Sequence, residues 1–422
     1  MTGILGIITE YNPFHYGHLY HLQKAKEISR SDTVICIMSG NFVQRGNLAL
    51  LDKWARTKMA LANGVDLVIE LPLIYGIRSA EYFAEGSVKI LDDTGIVNKL
   101  VFGSEAGDIA PLKKASQFLQ NEDKYFKDRL QIYLSKGLSF PQARSMALRD
   151  YLNYLPQDKG KFPHVLEKTL IEPNNILGIE YLKALEKYNS AIEAHTIKRR
   201  GSNYHEEELK EIASATAIRK KIYQDGFSAI KNHLPLKSYE IIADNFKKGK
   251  LPIKDKYFSM MILANLRQKT PHDLCQFAEI ENGLENRIIE QAHHSGSLNE
   301  LIDNIKTKAY TRTRIQRNLL HIFFGIKKND FQLLDENGPQ YIRVLGVRKE
   351  KADLLSKLNT NSKIPVIINP AQYIQDIEPD SKNPLIKSLS YDIIASDIYS
   401  LLYKDPAHRQ GRLDFTKPLI KI

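Results

Sequence analysis

Short apolar segments alternate with amphipathic stretches over roughly the first 105 residues of the chain. The apolar segments, rich in β-branched residues, are Gly3–Thr9, Asp32–Met38, Asp66–Leu71 and Lys99–Phe102. The stretches between them predict helices at about Gly17–Ser29, Lys53–Asn63 and Ala80–Asp92. This alternation is typical of βαβ units, in which a parallel sheet is covered on both faces and ligands bind beyond the carboxyl ends of the strands. The predicted class is therefore α/β, with a Rossmann-like parallel sheet.

The rest of the chain divides into two further parts. Between residues 221 and 330 we find only helical spacing, which predicts an all-α region. Beyond residue 331, strands are predicted at Tyr341–Gly346 and Pro365–Ile368, and a long helix at Pro384–Tyr403. We therefore predict a nucleotide-binding domain over 1–220, a helical basic region over 221–330 and a small C-terminal α/β region over 331–422.

The charge balance indicates an anionic partner. The chain of 422 residues has a net charge of +11, so nucleic acid is the first expectation and an acidic membrane surface the second. The two cysteines, Cys36 and Cys275, are too few for a disulfide framework. The chain has neither an apolar run of about 18 residues nor a signal-peptide pattern. We expect a cytoplasmic protein.

The turn after the first strand carries the most informative residues, since His15 and His18 flank Gly17 at the start of a helix. Free N–H groups and the dipole at a helix N-terminus favour anions, and histidines can donate hydrogen bonds to phosphate oxygens. Gly17 allows a ligand to approach the backbone closely. The alternative is a pair of metal ligands on one helical face, but no third His, Cys or acidic cluster completes such a site nearby.

A second element, Ser214–Arg219, lies about 200 residues later. Ser214 or Thr216 can cap a helix there, and Arg219 can reach β- or γ-phosphates. The two elements in this order resemble the HIGH-motif nucleotidyltransferase superfamily, which places the first motif after the first strand to hold ATP phosphates.

Further segments narrow the resemblance. The chain is similar to the bacterial tRNA(Met) cytidine acetate ligase family from the N-terminus to about residue 350. The matching segments are NPFHYGHLYH (12–21), MSGNFVQRG (38–46), KWARTKMAL (53–61), GVDLVIELP (64–72), FGSE (102–105), PNNILGIEY (173–181) and YTRTRIQR (310–317).

This resemblance implies a two-step reaction. ATP, with Mg²⁺, would adenylate acetate, and the acetyl group would then pass to N4 of the wobble cytidine C34 of elongator tRNA(Met). The resemblance implies catalytic roles for His15, His18 and Arg219. It also implies that ATP is bound by Ile8, Thr9, Glu10, Tyr11, Asn12, Pro13, Phe14, His15, Tyr16, Gly17, His18, Leu19, Tyr20, His21, Gly103, Asn174 and Arg199.

Some of these assignments have structural alternatives. Asn174 could instead be the N-cap of a helix that begins before Ile176, and Arg199 could belong to a solvated basic edge. Arg200 stands where the family pattern leads us to expect isoleucine, so either Arg199 or Arg200 could contact the nucleotide. We identify no residue that must deprotonate the cytidine amine.

The segment 305–328 is the strongest candidate for binding tRNA, because it is rich in Lys and Arg and contains no acidic residue. Leu319, Leu320, Ile322 and Phe323 would form its buried face. A basic stripe on the other face would bind phosphates and make the affinity dependent on salt, although a solvated helix face would have the same composition. The predicted contacts are Lys306, Lys308, Arg312, Arg314 and Arg317, with Tyr310 as a stacking or sugar contact.

Two other functions remain open from the sequence. A small-molecule adenylyltransferase would use the first 220 residues and leave the basic helical part without a purpose. A nonenzymatic RNA-binding protein would at most bind ATP without releasing pyrophosphate. The intact His15–His18 motif and the Ile218–Arg219 end of the second element favour the enzyme.

Overall fold

Ten strands are found in the part of the chain that the computed structural model describes, namely residues 3–154, 169–170, 172–199, 214–251 and 255–422. Most belong to one eight-stranded sheet with the order β10-β8-β5-β2-β1-β6-β7, in which β9 pairs with β8. The strands are β1 (Ile4–Thr9), β2 (Thr33–Ser39), β3 (Phe42–Val43), β4 (Asn47–Leu48), β5 (Leu67–Leu71), β6 (Lys99–Ser104), β7 (Glu193–Lys198), β8 (Ile342–Val347), β9 (Val366–Ile367) and β10 (Ile420–Lys421).

Helices pack around this sheet, and between β7 and β8 the described residues contain only helical elements. They are α1 (Tyr16–Ser29), α2 (Lys53–Ala62), α3 (Leu73–Gly76), α4 (Ala80–Asp93), α5 (Ile109–Gln120), α6 (Lys124–Ser135), α7 (Phe140–Tyr154), α8 (Pro173–Lys187), α9 (Ala215–Asp225), α10 (Leu236–Lys247), α11 (Asp255–Leu266), α12 (Pro271–Leu274), α13 (Leu284–His294), α14 (Leu298–Ile305), α15 (Arg312–Phe324), α16 (Lys328–Asn337), α17 (Asp353–Asn361), α18 (Pro384–Ser400) and α19 (Leu413–Thr416). Short 3₁₀ helices lie at Phe227–His233, Lys349–Lys351, Pro370–Gln372 and Pro406–His408.

The predicted α/β class is confirmed, and the order of the strands locates the site. Strands β1, β2, β5, β6 and β7 are mutually parallel. The chain moves outward from β1 through β2 to β5, and then crosses back to β6 on the other side of β1. Such a reversal of strand order opens a crevice at the carboxyl ends of the two central strands. The loop after β1 and the end of β6 therefore flank one crevice.

The C-terminal strands extend this sheet. Strand β8 pairs antiparallel with β5, and β9 and β10 pair with β8. Strand β8 lies inside the sheet, between β10 and β5. All of its residues are buried, as expected for a strand that is covered on both faces. The division into three domains remains a prediction, and the strands of its third part belong to the sheet of its first.

The middle region agrees with the sequence-based expectation. Between residues 221 and 330, only helical elements occur among the described residues. The buried face of α15 is formed by Ile315, Leu319, Leu320, Ile322 and Phe324, while the predicted Phe323 is only partly buried. Within the described ranges, we find no helix that combines the length and apolarity required to cross a bilayer.

A buried ionic cluster connects the beginning of the chain to its end. The Lys53 ammonium on α2 lies 2.8 Å from both carboxylate oxygens of Glu70 on β5 and 2.8 Å from Oδ1 of Asp414 on α19. Arg343 on β8 lies 3.5 Å from the same Asp414 oxygen. All four side chains are at most 3% exposed. The ions must therefore compensate one another, because water cannot solvate them at this depth.

We predict that Lys53→Met lowers the free energy of unfolding by about 3–5 kcal/mol, because it leaves two buried carboxylates with one cation. Chemical unfolding followed by circular dichroism measures the change. Lys58→Met is the matched control, since Lys58 is the exposed lysine of the same helix, and it should change stability by less than about 0.5 kcal/mol. Equal stability of the two variants would contradict a stabilising role for the cluster.

Candidate functional site

The loop after β1 ends in a histidine cap. Nδ1 of His15, the N-cap of α1, accepts a hydrogen bond from the Gly17 amide at 3.0 Å. The backbone amide of His15 in turn donates to Nδ1 of His18 at 3.3 Å. This reciprocal arrangement is a capping box built from two imidazoles. Because both Nδ1 atoms accept hydrogen bonds, the proton of each neutral ring lies on Nε2.

The histidines at this helix start are held in the neutral form. Burial, together with the charges of Arg199 and Arg219, lowers the pKa of His15 to about 4. Burial is also the main cause that lowers the pKa of His18, and it lowers the pKa of His21 to about 4. At pH 7 these rings are uncharged, so His15 and His18 would act on an anion as N–H donors of fixed direction.

The two motifs recognised in the sequence are in contact. Nη1 of Arg219 donates to the backbone carbonyl of Asn12 at 2.7 Å, across 207 residues of sequence. Nη2 of Arg219 donates to Oγ1 of Thr216 at 3.1 Å, and Ser214 is the N-cap of α9. The side chain of Asn12 accepts from the Leu50 amide at 2.7 Å. Asn12 therefore fixes the first loop while its carbonyl positions the guanidinium of the second motif.

The ends of β6 and β7 contribute Gly103 and Arg199. The Arg199 amide donates to the Ser104 carbonyl at 2.8 Å, and a Cβ on Gly103 would lie 3.1 Å from Cγ of Arg199. A larger residue at Gly103 would therefore displace this arginine. Burial lowers the pKa of His15, His18 and His21, and the positive charge of Arg199 lowers it further. Arg200 lies outside the described residues.

Asn174 contacts Glu105, which follows β6 at the crevice. Nδ2 of Asn174 donates to Oε1 of Glu105 at 2.6 Å, and the Asn175 amide donates to Oε2 at 2.8 Å. The N-cap of α8 is Glu172, so the interpretation of Asn174 as the N-cap is wrong. Burial lowers the pKa of Arg199, and the negative charge of Glu105 opposes this shift. Asn174 thus holds a carboxylate whose negative charge favours the charged form of Arg199, a candidate ligand of the nucleotide.

Sequence reasoning assigned no role to Arg56, although it lies in the matched segment 53–61. This fully buried residue of α2 donates Nη1 to the carbonyls of Glu10 at 2.7 Å and Ser39 at 3.0 Å, and Nε to that of Leu51 at 3.0 Å. Nη2 donates to the carbonyl of Gly40. Arg56 therefore joins the carboxyl ends of β1 and β2. The available signal was the position of Arg56 one turn after Lys53, on the same side of the helix, whereas the exposed Lys58 lies on another side.

The predicted tRNA contacts differ in their surroundings. Lys306 and Lys308, which precede α15, are exposed. Arg312 forms an ion pair with Asp303 at 2.5 Å and bonds Asn299 at 2.6 Å. Arg314 lies 3.3 Å from Glu279, and burial lowers the pKa of Arg317. The OH of Tyr310 donates to the Glu281 carbonyl at 3.1 Å. The two lysines are thus more available to a partner than Arg312 or Arg314.

Comparison with known proteins gives a consistent result. The chain matches the family described as HIGH Nucleotidyl Transferase over residues 2–414. It is 52% identical over 422 residues to the tRNA(Met) cytidine acetate ligase of Halothermothrix orenii, with 99% of each chain covered. The identically named protein of Acetivibrio thermocellus is 42% identical over 423 residues, again with 99% of each chain covered.

The fold agrees with these matches. A crystal structure of Thermotoga maritima TmcAL bound with alpha-thio ATP superimposes with a TM-score of 0.90 at 35% sequence identity. The alignment covers 100% of this chain and 99% of the other. The similarity therefore includes the C-terminal strands and the middle helices as well as the nucleotide-binding sheet.

We predict that His15 and His18 are Nε2–H tautomers at pH 7 and that His15 titrates near pH 4. Nitrogen-15 NMR of histidine-labelled protein distinguishes the tautomers, and His15→Asn assigns the signal. Because the folded-state pKa lies below the unfolded value of about 6.5, stability should fall as pH decreases from 6.5 towards 4. An Nδ1–H ring, or a His15 midpoint near pH 6.5, would contradict the assignment.

Proposed function

The chain belongs to the tRNA(Met) cytidine acetate ligase family of the HIGH nucleotidyl transferases, and from this we propose that its crevice activates acetate for transfer to RNA. The activity is that of an ATP-dependent ligase that acetylates a tRNA cytidine. The donor would be acetate, and the acceptor N4 of the wobble cytidine C34 of elongator tRNA(Met). The observation that carries the proposal is the hydrogen bond between Arg219 and Asn12, which unites both nucleotide motifs at the crevice.

The first step would form acetyl-AMP. An acetate oxygen attacks the α-phosphorus of ATP, the bond from this phosphorus to the bridging oxygen breaks, and pyrophosphate leaves. Such a reaction depends on in-line positioning and on charge stabilisation. The Nε2–H of His15 is a suitable donor, since the ring is held by its cap and makes no Nε2 hydrogen bond within the described residues. Arg219 would provide the permanent positive charge.

The second step would transfer the acetyl group. N4 of the cytidine attacks the acetyl carbon, the bond from this carbon to the AMP oxygen breaks, and the nitrogen loses one proton. The mixed anhydride makes the carbonyl reactive, which acetate alone does not offer. The cytidine must leave its stack to reach the crevice. We propose that residues 1–220 form the domain that activates acetate, that residues 221–330 bind tRNA, and that residues 331–422 form a small C-terminal α/β region.

We propose that Mg²⁺ accompanies ATP. Among the described residues there is no group of three or more His, Cys, Asp or Glu side chains arranged to hold a metal ion. Phosphate oxygens would therefore supply most of its ligands, as is usual for this ion. It would neutralise phosphate charge during adenylation. A cytoplasmic location would fit this tRNA substrate and the two free cysteines, Cys36 and Cys275.

Incubation with ATP, Mg²⁺, labelled acetate and unmodified elongator tRNA(Met), followed by nucleoside mass spectrometry, tests the proposed function. Label in N4-acetylcytidine at the wobble position is the expected result. Pyrophosphate release without labelled RNA would favour a small-molecule adenylyltransferase. Failure to turn over ATP with any acid offered would favour a nonenzymatic RNA-binding protein.

We predict that His15→Asn separates the two roles of this residue. Asparagine is a good N-cap and places its Oδ1 near the position of Nδ1, but it lacks the Nε2–H donor. Acetate-dependent exchange of pyrophosphate into ATP should fall by about 100-fold or more, while the melting temperature and tRNA affinity stay close to wild type. His15→Ala should lose the same activity and also some stability. Normal exchange in His15→Asn would refute the phosphate assignment.

A second prediction concerns the exposed lysines. Replacing Lys306 and Lys308 together by alanine should weaken tRNA binding and reduce the slope of log K against log salt by about 0.7–0.9 per lost phosphate contact. Acetate-dependent pyrophosphate exchange without tRNA should not change. Lys382→Ala, which removes an exposed charge from the C-terminal part, is the control. An unaltered salt slope in the double variant would exclude these contacts.

A further inference from the structure

The β3–β4 hairpin presents an arginine that has no role in the site described above. Arg45 lies at the turn, is exposed, and makes no hydrogen bond or ion pair within the described ranges. The preceding residue is fixed on both sides. The Gln44 amide donates to Oε1 of Glu10 at 3.0 Å, and its Nε2 donates to the Arg78 carbonyl at 2.9 Å. The hairpin is thus anchored to the nucleotide loop immediately before Arg45.

The following residue is fixed against the basic helix. Gly46 has a φ of +77°, and a Cβ there would lie 2.7 Å from the Arg317 backbone nitrogen. Nε2 of Gln316 donates to Oδ1 of Asn47 at 2.7 Å. The turn is therefore held between the nucleotide loop on one side and α15 on the other. The backbone of Arg45 is thus fixed on both sides, while its guanidinium remains available. Such a side chain is well placed to bind a ligand.

The charges around Arg45 indicate the kind of ligand. Burial lowers the pKa of Arg199 and of Arg219, and the positive charge of Arg45 lowers both further; the same charge opposes the rise in the pKa of Glu10 that burial causes. These three arginines come from separate parts of the sequence, and each is attached beside the same crevice: Gln44, next to Arg45, bonds Glu10, Arg219 bonds Asn12, and the Arg199 amide bonds Ser104 at the end of β6. Glu105 is already bonded by Asn174 and Asn175. The guanidiniums repel one another in the free protein, and a polyanion between them would remove this repulsion.

We propose that Arg45 binds the β- and γ-phosphates of ATP and stabilises the pyrophosphate as it leaves. This inference rests on the proposed function. When the bond from the α-phosphorus to the bridging oxygen breaks, the electron pair remains on that oxygen, and Arg45 offsets the added negative charge without exchanging a proton. Among the reactants and products other than the RNA, ATP and pyrophosphate carry the highest negative charges, so a cluster of three cations matches them better than it matches acetate or AMP.

The two half-reactions test this assignment separately. Arg45→Ala should reduce acetate-dependent exchange of pyrophosphate into ATP by about tenfold or more. With synthetic acetyl-AMP and tRNA(Met) supplied instead, N4-acetylcytidine should form at close to the wild-type rate. Arg45→Lys keeps the charge but loses the bidentate geometry, so its exchange rate should lie between those of the wild type and Arg45→Ala. Lys382→Ala should leave both half-reactions unchanged.

Three results would overturn the assignment. The first is normal exchange in Arg45→Ala. The second is normal exchange with slow transfer from acetyl-AMP, which would assign Arg45 to the RNA backbone beside α15. The third is equal loss of both half-reactions with a lowered melting temperature, which would indicate a structural role. Wild-type protein that shows no acetate-dependent exchange would refute the proposed function itself, so the two failures are distinguishable.

Discussion

The guanidinium of Arg56 organises the crevice. It is fully buried and donates to four backbone carbonyls, those of Glu10, Ser39, Gly40 and Leu51. Two of these carbonyls, those of Glu10 and Gly40, follow directly after β1 and β2, where the chain leaves the sheet. At these positions no neighbouring strand of the described chain supplies a hydrogen-bond donor. A buried, unpaired carbonyl is costly. Because one rigid cation satisfies several of them, the loops after β1 and β2 are held in a single relative position.

The same helix connects this crevice to the end of the chain. Lys53 lies one turn before Arg56 on α2 and pairs with Glu70 and Asp414. The last part of the chain therefore supplies a counter-ion to the helix that fixes the nucleotide loop. Loss of Asp414 would leave a buried cation with fewer partners and would disturb α2 directly. The C-terminal part therefore stabilises the helix that lines this crevice, although it is distant in sequence.

The sequence could predict what depends on local patterns. Apolar runs and helical periods identified β1, β2, β5 and β6 to within a few residues, and the motif after β1 identified the capped helix. Long-range pairings carry no local signal, so the insertion of β8 beside β5 and the connection between Asn174 and Glu105 were not foreseen. The β3–β4 hairpin was missed because its strands have two residues each. Arg45 lies in the matched segment 38–46, but its surroundings depend on long-range contacts that the sequence does not reveal.

In the candidate site, neutral histidines provide hydrogen bonds of fixed direction, while arginines provide the positive charge. Imidazoles at the start of α1 are neutral, and their capping bonds fix which nitrogen carries the proton. The guanidiniums of Arg199 and Arg219 carry a charge that does not titrate in the physiological range, and this charge helps to keep His15 neutral. A phosphate would therefore meet N–H donors of one orientation and cations of constant charge across neutral pH. The arginines that favour the anion also help to keep the histidine beside it neutral.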